Sequence, residues 1–525
     1  MQNKLVENWL TSAKELSFTT PFVQLLIKEG YTVIQSNGGP TEQGKDIIAY
    51  DKKGVLCCFQ LKCGDIGSSE WQKYRAQFAD LTEIPPKHAS FKKVPIKWNC
   101  YLVTNGNIKG QTNQTIIDYS AANKRNGKMP LGTILKDELL IRFTNAFGEF
   151  FPIEPDDIRI FFEMYCQPGD ITLNRQEFKE YFENYFLKLD DAKSKQKKIE
   201  AINASLILAS YLLTNKYDKE NNFAIIDAWV LLLLTILHFA TKWNLKDKEF
   251  ELCESLILDE IDTLFRNVII DVSEDQKNLV EGTYGIFSEP FMTYRLRCAE
   301  ILGYTAACIN YSILAKRPAI PIPMGLQEKL KLAAQKKMII SELGMPYMYN
   351  VVLSSAINNS FNSAVSELKN VVDGILQSNE EEGEGLPSPY YSMTEVISHM
   401  LGVKSIKESF KNRSYTLWPA ILMLAKYDQR AYLNENWCAI SQISMLELVA
   451  HDPNDLLLWR VKNGDLFDSF PAGEQSWGEL QKIANLNYDN EIPSALQQRK
   501  YLIPLMLIVM PHRVSSRFIL SLVNR

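Results

Sequence analysis

The sequence predicts an α+β protein: an N-terminal αβ domain with a mixed sheet over residues 1–151, followed by a large all-α region over 152–378 and 388–525. Three observations lead there. The chain has 525 residues, more than one hydrophobic core organises. Before residue 151, short β-branched and aromatic runs are bounded by glycine, as strands are. After it, apolar residues recur three and four apart, the helical period, with no strand alternation to compete.

In chain order, residues 3–16 and 22–29 read as helices, the second opened by Thr20-Pro21 and closed at Gly30-Tyr31, and 32–35 as a first strand. A loop with Gly38-Gly39-Pro40 follows, without the spacing of a phosphate-binding loop. Residues 46–51 and 55–63 are then two strands around the turn Lys52-Lys53-Gly54, which places glycine where a left-handed conformation is needed. If Asp51 pairs with Val55, counting back along the ladder sets Asp46 opposite Gln60, about 5 Å apart at Cβ. The period of two puts Lys62 on the same face as Gln60.

Residues 68–81 form a helix whose Trp71, Tyr74, Arg75 and Phe78 fall at helical spacing, so Trp71 and Tyr74 are expected to face the core rather than stack on a base. The connection over 83–93 carries Lys87, Lys92 and Lys93 and reads equally as a basic loop that touches a DNA or RNA backbone and as a solvated connection. A strand over 99–104, a helix over 110–124 and the segments 131–135 and 139–143 close the domain near Phe151-Pro152.

Beyond it, helices are expected at 176–189, 198–214, 222–243, 249–267, 290–315, 326–343 and 356–377. After an acidic loop at 379–388 they continue at 393–401, 415–427, 440–449, 455–461, 477–484 and 501–510. Residues 222–243 are the one membrane suspect. Asp227 and His238 interrupt the apolar run, so a buried central helix is expected instead.

Charge and composition narrow the function classes. Residues 1–150 carry 19 Lys+Arg against 14 Asp+Glu, and the remainder 38 against 48. The basic part suits a phosphate-chain substrate, and the acidic remainder does not. Nine Cys without CxxC pairs and five isolated His give neither a zinc site nor a disulfide framework. The first ten residues lack the apolar core of a secretory signal, so a cytoplasmic, reduced protein is expected, with no membrane association. Hydrolase, zincin and Walker motifs are absent.

The hairpin's open end is where chemistry gathers. Asp46, the Gln60 amide oxygen and the Leu61 carbonyl are oxygen ligands suited to a hard divalent cation, Mg²⁺ or Mn²⁺. Lys62 would stand beside the bound water, able to orient it or to stabilise charge on a phosphate under attack. These residues, Asp46 followed by Gln60-Leu61-Lys62 with Gly44 before the aspartate, resemble the Mrr-like branch of the PD-(D/E)xK restriction-endonuclease-like nucleases. The likeness extends to the helix before the first strand and to the strand at 99–104.

The resemblance implies a restriction-endonuclease-like domain and a metal-dependent endonuclease acting on DNA, double-stranded by preference. Asp46, Gln60 and Lys62 would be catalytic, and Asp46, Gln60 and Leu61 would hold the metal. Lys45, Lys87, Lys92, Lys93 and Lys109 are candidate nucleic-acid contacts. It further implies an effector of bacterial anti-phage defence, in which the helical region senses, oligomerises or docks a protein partner. Two departures leave other readings open: Thr19 stands where many members have a first-helix Glu, and Gln60 where many have an acid. The alternatives are a modification-dependent or sequence-specific restriction endonuclease, and a catalytically dead nuclease fold serving as a binding or assembly scaffold.

Overall fold

The computed structural model describes residues 6–7, 9–11, 13, 15–36, 44–87, 91, 95–147, 154–190, 194–274, 291–318, 320, 342, 345–357, 361–461, 466–471 and 475–523. The Gly38-Gly39-Pro40 loop, Lys92 and Lys93, the boundary at Phe151-Pro152 and nearly all of the helix expected over 326–343 lie outside these residues. By contacts the chain divides into one unit of Met1–Leu173, Asn184–Ile225 and Lys246–Leu256 and a second of Asn174–Glu183, Ile226–Leu245 and Ile257–Arg525. The first unit thus takes in chain well past residue 151.

The first unit is built on a five-stranded sheet in the order β1 (Thr32–Ser36), β2 (Ile47–Tyr50), β3 (Leu56–Lys62), β4 (Asn99–Thr104), β5 (Leu131–Ile134). The first three strands form an antiparallel meander, and β3, β4 and β5 run parallel. Parallel neighbours need a crossover, supplied by helices α2 (Ser68–Glu83) and α3 (Thr112–Arg125), with α1 (Glu15–Lys28) before the sheet and α4 (Lys136–Phe147) after it.

The hairpin folds as its turn chemistry requires. The Asp51 N–H donates to the Val55 carbonyl at 2.9 Å, and the Asp51 carboxylate takes the Lys53 and Val55 amides at 2.9 and 2.8 Å. Gly54 closes the turn at φ +75°, a conformation costing other residues about 1 kcal/mol or more. Ile47 lies opposite Phe59, the last pair of the ladder, so the pairing expected of Asp46 with Gln60 is not part of it, and the two meet through their side chains.

Helix α1 corrects one expectation. It does not begin at Pro21 but runs through it, with Pro21 in its interior. Losing one amide donor and straining the preceding turn costs about 3 kcal/mol. Against this, Phe18, Phe22, Leu25 and Leu26 are each fully buried, worth about 1.5–3 kcal/mol apiece. The Phe22 ring meets Phe59 of β3 edge-on at 5.5 Å, while Lys28 pairs with Glu200 of the helix Lys195–Leu212 at 2.7 Å, so α1 is covered on two sides. Burial outweighs the proline.

The opposite face of the sheet carries α2 and α3. Cys58, Cys100 and Leu102 of the strands pack with Trp71, Phe78 and Leu81 of α2 and Ile116 of α3 in one apolar cluster. Trp98 anchors the end of α2 by donating its indole N–H to the Leu81 carbonyl at 3.0 Å.

The second unit is helical around Leu417–Lys426, of which residues 417–425 are all buried, with Phe361–Ser378, Trp477–Ala484 and Ser516–Val523 contributing to the same core. The α+β class holds, but the region expected to be all-α is not. A small sheet of β6 (Arg413–Ser414), β7 (Ser444–Val449) and β8 (Leu466–Pro471) stands where residues 440–449 were read as a helix. In β7 the two buried side chains, Met445 and Leu448, are three residues apart, a spacing that also fits a helix. Pairing with β8 over six residue pairs decides for the strand. Residues 455–461 likewise give a short 3₁₀ turn, Pro453–Leu457. Asn222–Lys242 is long and apolar enough to cross a membrane, yet 94% of its apolar window is buried inside the protein.

Candidate active site

Asp46 is the point where β2 stops. In an unbroken ladder the amide of Leu61 would pair with Lys45; the chain bends at Asp46 instead, its own N–H turning to the Phe59 carbonyl at 2.9 Å. The vacated ladder position is taken by the Asp46 carboxylate, whose Oδ2 accepts the Leu61 N–H at 2.5 Å. Gln60 Nε2 donates to both carboxylate oxygens, at 2.9 and 2.8 Å. Side chain and backbone of β3 thus converge on one carboxylate, and such charge-assisted bonds fix its orientation.

Gln60 spends its amide N–H groups on Asp46 and leaves its oxygen over. Gln60 is 3% exposed, and its Oε1 accepts no hydrogen bond from the described residues. A buried acceptor without a donor costs about 1–3 kcal/mol, a cost that a cation or a water beside it would offset. The Leu61 carbonyl leaves the strand on the same side as the Leu61 N–H, the side of Asp46, because N–H and C=O of one strand residue point together. Asp46, Gln60 Oε1 and the Leu61 carbonyl offer oxygen only, the donor type a hard divalent cation takes, although the amide turns its Nε2 and not its Oε1 to the carboxylate. Among the described residues no three His, Cys, Asp or Glu converge in a manner that could hold a metal, so any such site here leans on the amide and the carbonyl.

Lys62 extends along β3 on the Gln60 face. Its side chain is 5% exposed, and its ammonium sits 5.0 Å from the centre of the Tyr74 ring on α2. Tyr74 is half-buried at the edge of the apolar cluster. Trp71 fulfils the core role expected of it, stacked on Phe78 at 5.0 Å. Tyr74 packs at the edge of that core and also faces a cation, which its helical spacing alone does not indicate because the cation comes from β3.

The remaining candidates are dispersed. Lys45 is a correction: expected to meet a phosphate chain, it is 2% exposed and donates to the Asp80 carbonyl of α2 at 3.0 Å. The cause lies next to it. Gly44, at φ +73°, passes so close to α2 that a Cβ would stand 2.3 Å from the Gln77 carbonyl oxygen, and Lys45 is carried under the helix with it. Burial holds its ammonium below the usual lysine range, with the Cys58 and Cys100 thiols nearby. Lys87 is exposed. Lys109 is exposed and paired with Asp65 at 2.5 Å, a bond that raises Lys109 and lowers Asp65. Helix α1, which carries Thr19, covers the Phe59 face of β3, opposite the face of Gln60 and Lys62. Gln24 of that helix is buried towards Cys253.

The turn after Lys62 is held from behind. Thr104 Oγ1 donates to the Gly64 carbonyl at 2.7 Å, and the Gly64 N–H donates to Asn105 Oδ1 at 2.7 Å. The Asn105 amide nitrogen, itself buried, donates to the carbonyls of Leu10 and Ala13, both at 2.6 Å. Comparisons with protein-family models, with curated proteins and with solved structures give no match for this chain.

Proposed function

We propose that the chain is a metal-dependent endonuclease that hydrolyses phosphodiester bonds of DNA, with its centre at the open end of the β2–β3 hairpin. One observation carries the reading: Asp46, Gln60 and Leu61 meet at the break in the ladder, leaving an unsatisfied amide oxygen, with a buried lysine two residues on. The element order helix, three-stranded meander, helix, parallel strand supports a restriction-endonuclease-like assignment for this region, in keeping with the PD-(D/E)xK pattern of Asp46 and Gln60-Leu61-Lys62.

In this reading Asp46, the Gln60 amide oxygen and the Leu61 carbonyl hold Mg²⁺ or Mn²⁺. The bound cation supplies Lewis-acid stabilisation of a phosphoryl oxygen and a more acidic water. Lys62 orients the attacking water by hydrogen bonding and offsets the negative charge that grows on the phosphate in the transition state. Asp46 contributes the one formal negative charge of the donor set, and the two donors on β3 keep it aimed. The second unit, acidic and mostly helical, would sense, oligomerise or dock a partner in an anti-phage effector.

The rival reading is a nuclease fold without catalysis. It is favoured by the absence, among the described residues, of any cluster of three acidic or metal-binding side chains. Purified protein with Mg²⁺ or Mn²⁺, given plasmid, linear duplex, single-stranded DNA and RNA, separates the two. Metal-dependent cutting that is lost in both Asp46→Ala and Lys62→Ala is the expected result. Cutting that survives both substitutions rejects the site. If no form cuts in vitro, bacterial toxicity that disappears with Lys62→Ala points to a missing activator, and absence of toxicity with intact nucleic-acid binding supports the scaffold.

A further inference from the structure

Lys62 carries a compact charge on a flexible four-carbon stem, and the proposed chemistry needs that charge at one place. The Asp46 carboxylate already accepts two hydrogen bonds from Gln60 and one from Leu61. Among the neighbours of the ammonium is a ring, Tyr74, 5.0 Å away at its centroid. We infer that Tyr74 is a positioning residue for Lys62, holding the ammonium through the face of its ring and not through its hydroxyl. The inference rests on the nuclease reading and names one more residue that the same reaction would need.

Two features support it. The ring is braced: its edge lies against Phe78 at 6.4 Å, Phe78 stacks on Trp71 at 5.0 Å, and Trp71 meets Tyr119 of α3 edge-on at 5.5 Å. A ring anchored in a row of buried aromatics keeps its face where β3 presents Lys62. The site is also dry, since Lys62 is 5% exposed, and attraction between a cation and an aromatic face strengthens on desolvation. Lys73, on the exposed side of the same helix, brings a second ammonium to 5.3 Å from the ring, which agrees with an electron-rich face that attracts cations.

The test compares wild type, Tyr74→Phe, Tyr74→Leu and Lys62→Ala in Mn²⁺-dependent plasmid cleavage. Alongside it, NMR of protein with labelled lysine follows the ε-methylene protons of Lys62, assigned by their loss in Lys62→Ala. A ring face shifts those protons upfield, whatever the activity. The expected pattern is Tyr74→Phe within about twofold of wild type and Tyr74→Leu down about tenfold in kcat with little change in KM. Mn²⁺ binding stays unchanged, and the upfield shift is present in wild type and Tyr74→Phe and gone in Tyr74→Leu.

Tyr74→Leu with wild-type kcat overturns the inference, as does Tyr74→Phe falling as far as Tyr74→Leu, which would assign the role to the hydroxyl. Absence of the upfield shift in the wild type overturns it as well. A wild-type chain that shows the shift yet cuts nothing with either metal and is not toxic to bacteria overturns the nuclease reading and the role together, and is distinguished from the other failures by the shift itself.

Discussion

The protein buries charge in two ways, and the contrast between them separates support from chemistry. In the second unit Arg175 donates to Asp227 at 2.7 Å, to the Ile508 carbonyl at 3.0 Å and to the Tyr304 hydroxyl at 3.2 Å, and Tyr304 in turn donates to Asp227. Burial pushes the Asp227 carboxyl above its usual range and Arg175 draws it back. The arrangement is closed: three side chains from distant parts of the sequence answer one another. At the end of the β2–β3 hairpin the residues come from a single local turn of chain, and the count does not close, because Gln60 Oε1 is left over. A buried network that balances serves the fold; one with a surplus acceptor has room for something from outside.

The largest effect should come from breaking the closed network. Asp227→Ala removes the carboxylate to which both Arg175 and Tyr304 donate and is expected to cost about 3–5 kcal/mol in urea unfolding. Asp227→Asn, which keeps an acceptor, should cost less. If Asp227→Ala unfolds like the wild type, the network is not the support described. The open site should behave oppositely. Lys62→Ala is expected to reduce metal-dependent cleavage about 10²–10³-fold while moving the unfolding midpoint little. A large loss of stability with activity retained per folded molecule would reverse the roles of the two regions.

Acid should divide them further. His238 is buried, its Nδ1 3.0 Å from the Asn454 carbonyl, and desolvation pulls its imidazole down to about 4. The unfolded chain, with an ordinary value near 6.5, binds the proton first. The neutral ring's contribution is therefore complete above about pH 6.5 and is lost as pH falls towards 4, to a total of about 3 kcal/mol. Glu342 acts in the other direction: burial raises its carboxyl to about 7, so its contribution is present at low pH and is lost as pH rises from about 4.5 through 7. Unfolding free energies of wild type and His238→Asn between pH 4 and 7, taken as a difference, isolate the histidine. A difference that does not change with pH would remove it from the account.

The smallest expected effect probes the surplus oxygen directly. Gln60→Glu sets a second carboxylate beside Asp46 and removes its main donor, at a cost of about 1–2 kcal/mol without metal. Mn²⁺ should restore the loss and bind more tightly than to the wild type. A variant as stable as wild type and indifferent to Mn²⁺ would show that no cation belongs there.

What could be read from the residues in advance follows from how local each cause is. The hairpin register was legible because Lys52-Lys53-Gly54 fixes it within a few residues, and the strand Asn99–Thr104 because its apolar run is bounded cleanly. The course of α1 through Pro21 was not, since the burial that outweighs the proline comes from Phe59 and from a helix nearly two hundred residues away. Lys45 looked like a surface cation because nothing beside it in the sequence announces the helix that Gly44 admits. The strand Ser444–Val449 was missed because its buried pair fits either period, and its partner β8 decides. At the candidate site, the meeting of Asp46 and Gln60 was a local consequence of the hairpin. The ring over Lys62 was not, because it arrives from the crossover helix.

The clamp behind Lys62 bears on how this sequence can drift. Among the described residues, the Asn105 side chain reaches the first helical stretch through the main-chain carbonyls of Leu10 and Ala13, and the turn through the Gly64 amide. Carbonyls are the same whatever side chain they belong to, so positions 10 and 13 can change identity, within what burial permits, without loosening the tie. Asn105 cannot, because no other side chain combines its two-hydrogen donor with an acceptor at that length. Among descendants of this chain the asparagine should be the fixed partner and the residues it holds the variable ones, a lopsided inheritance in which only one end of a contact leaves a trace.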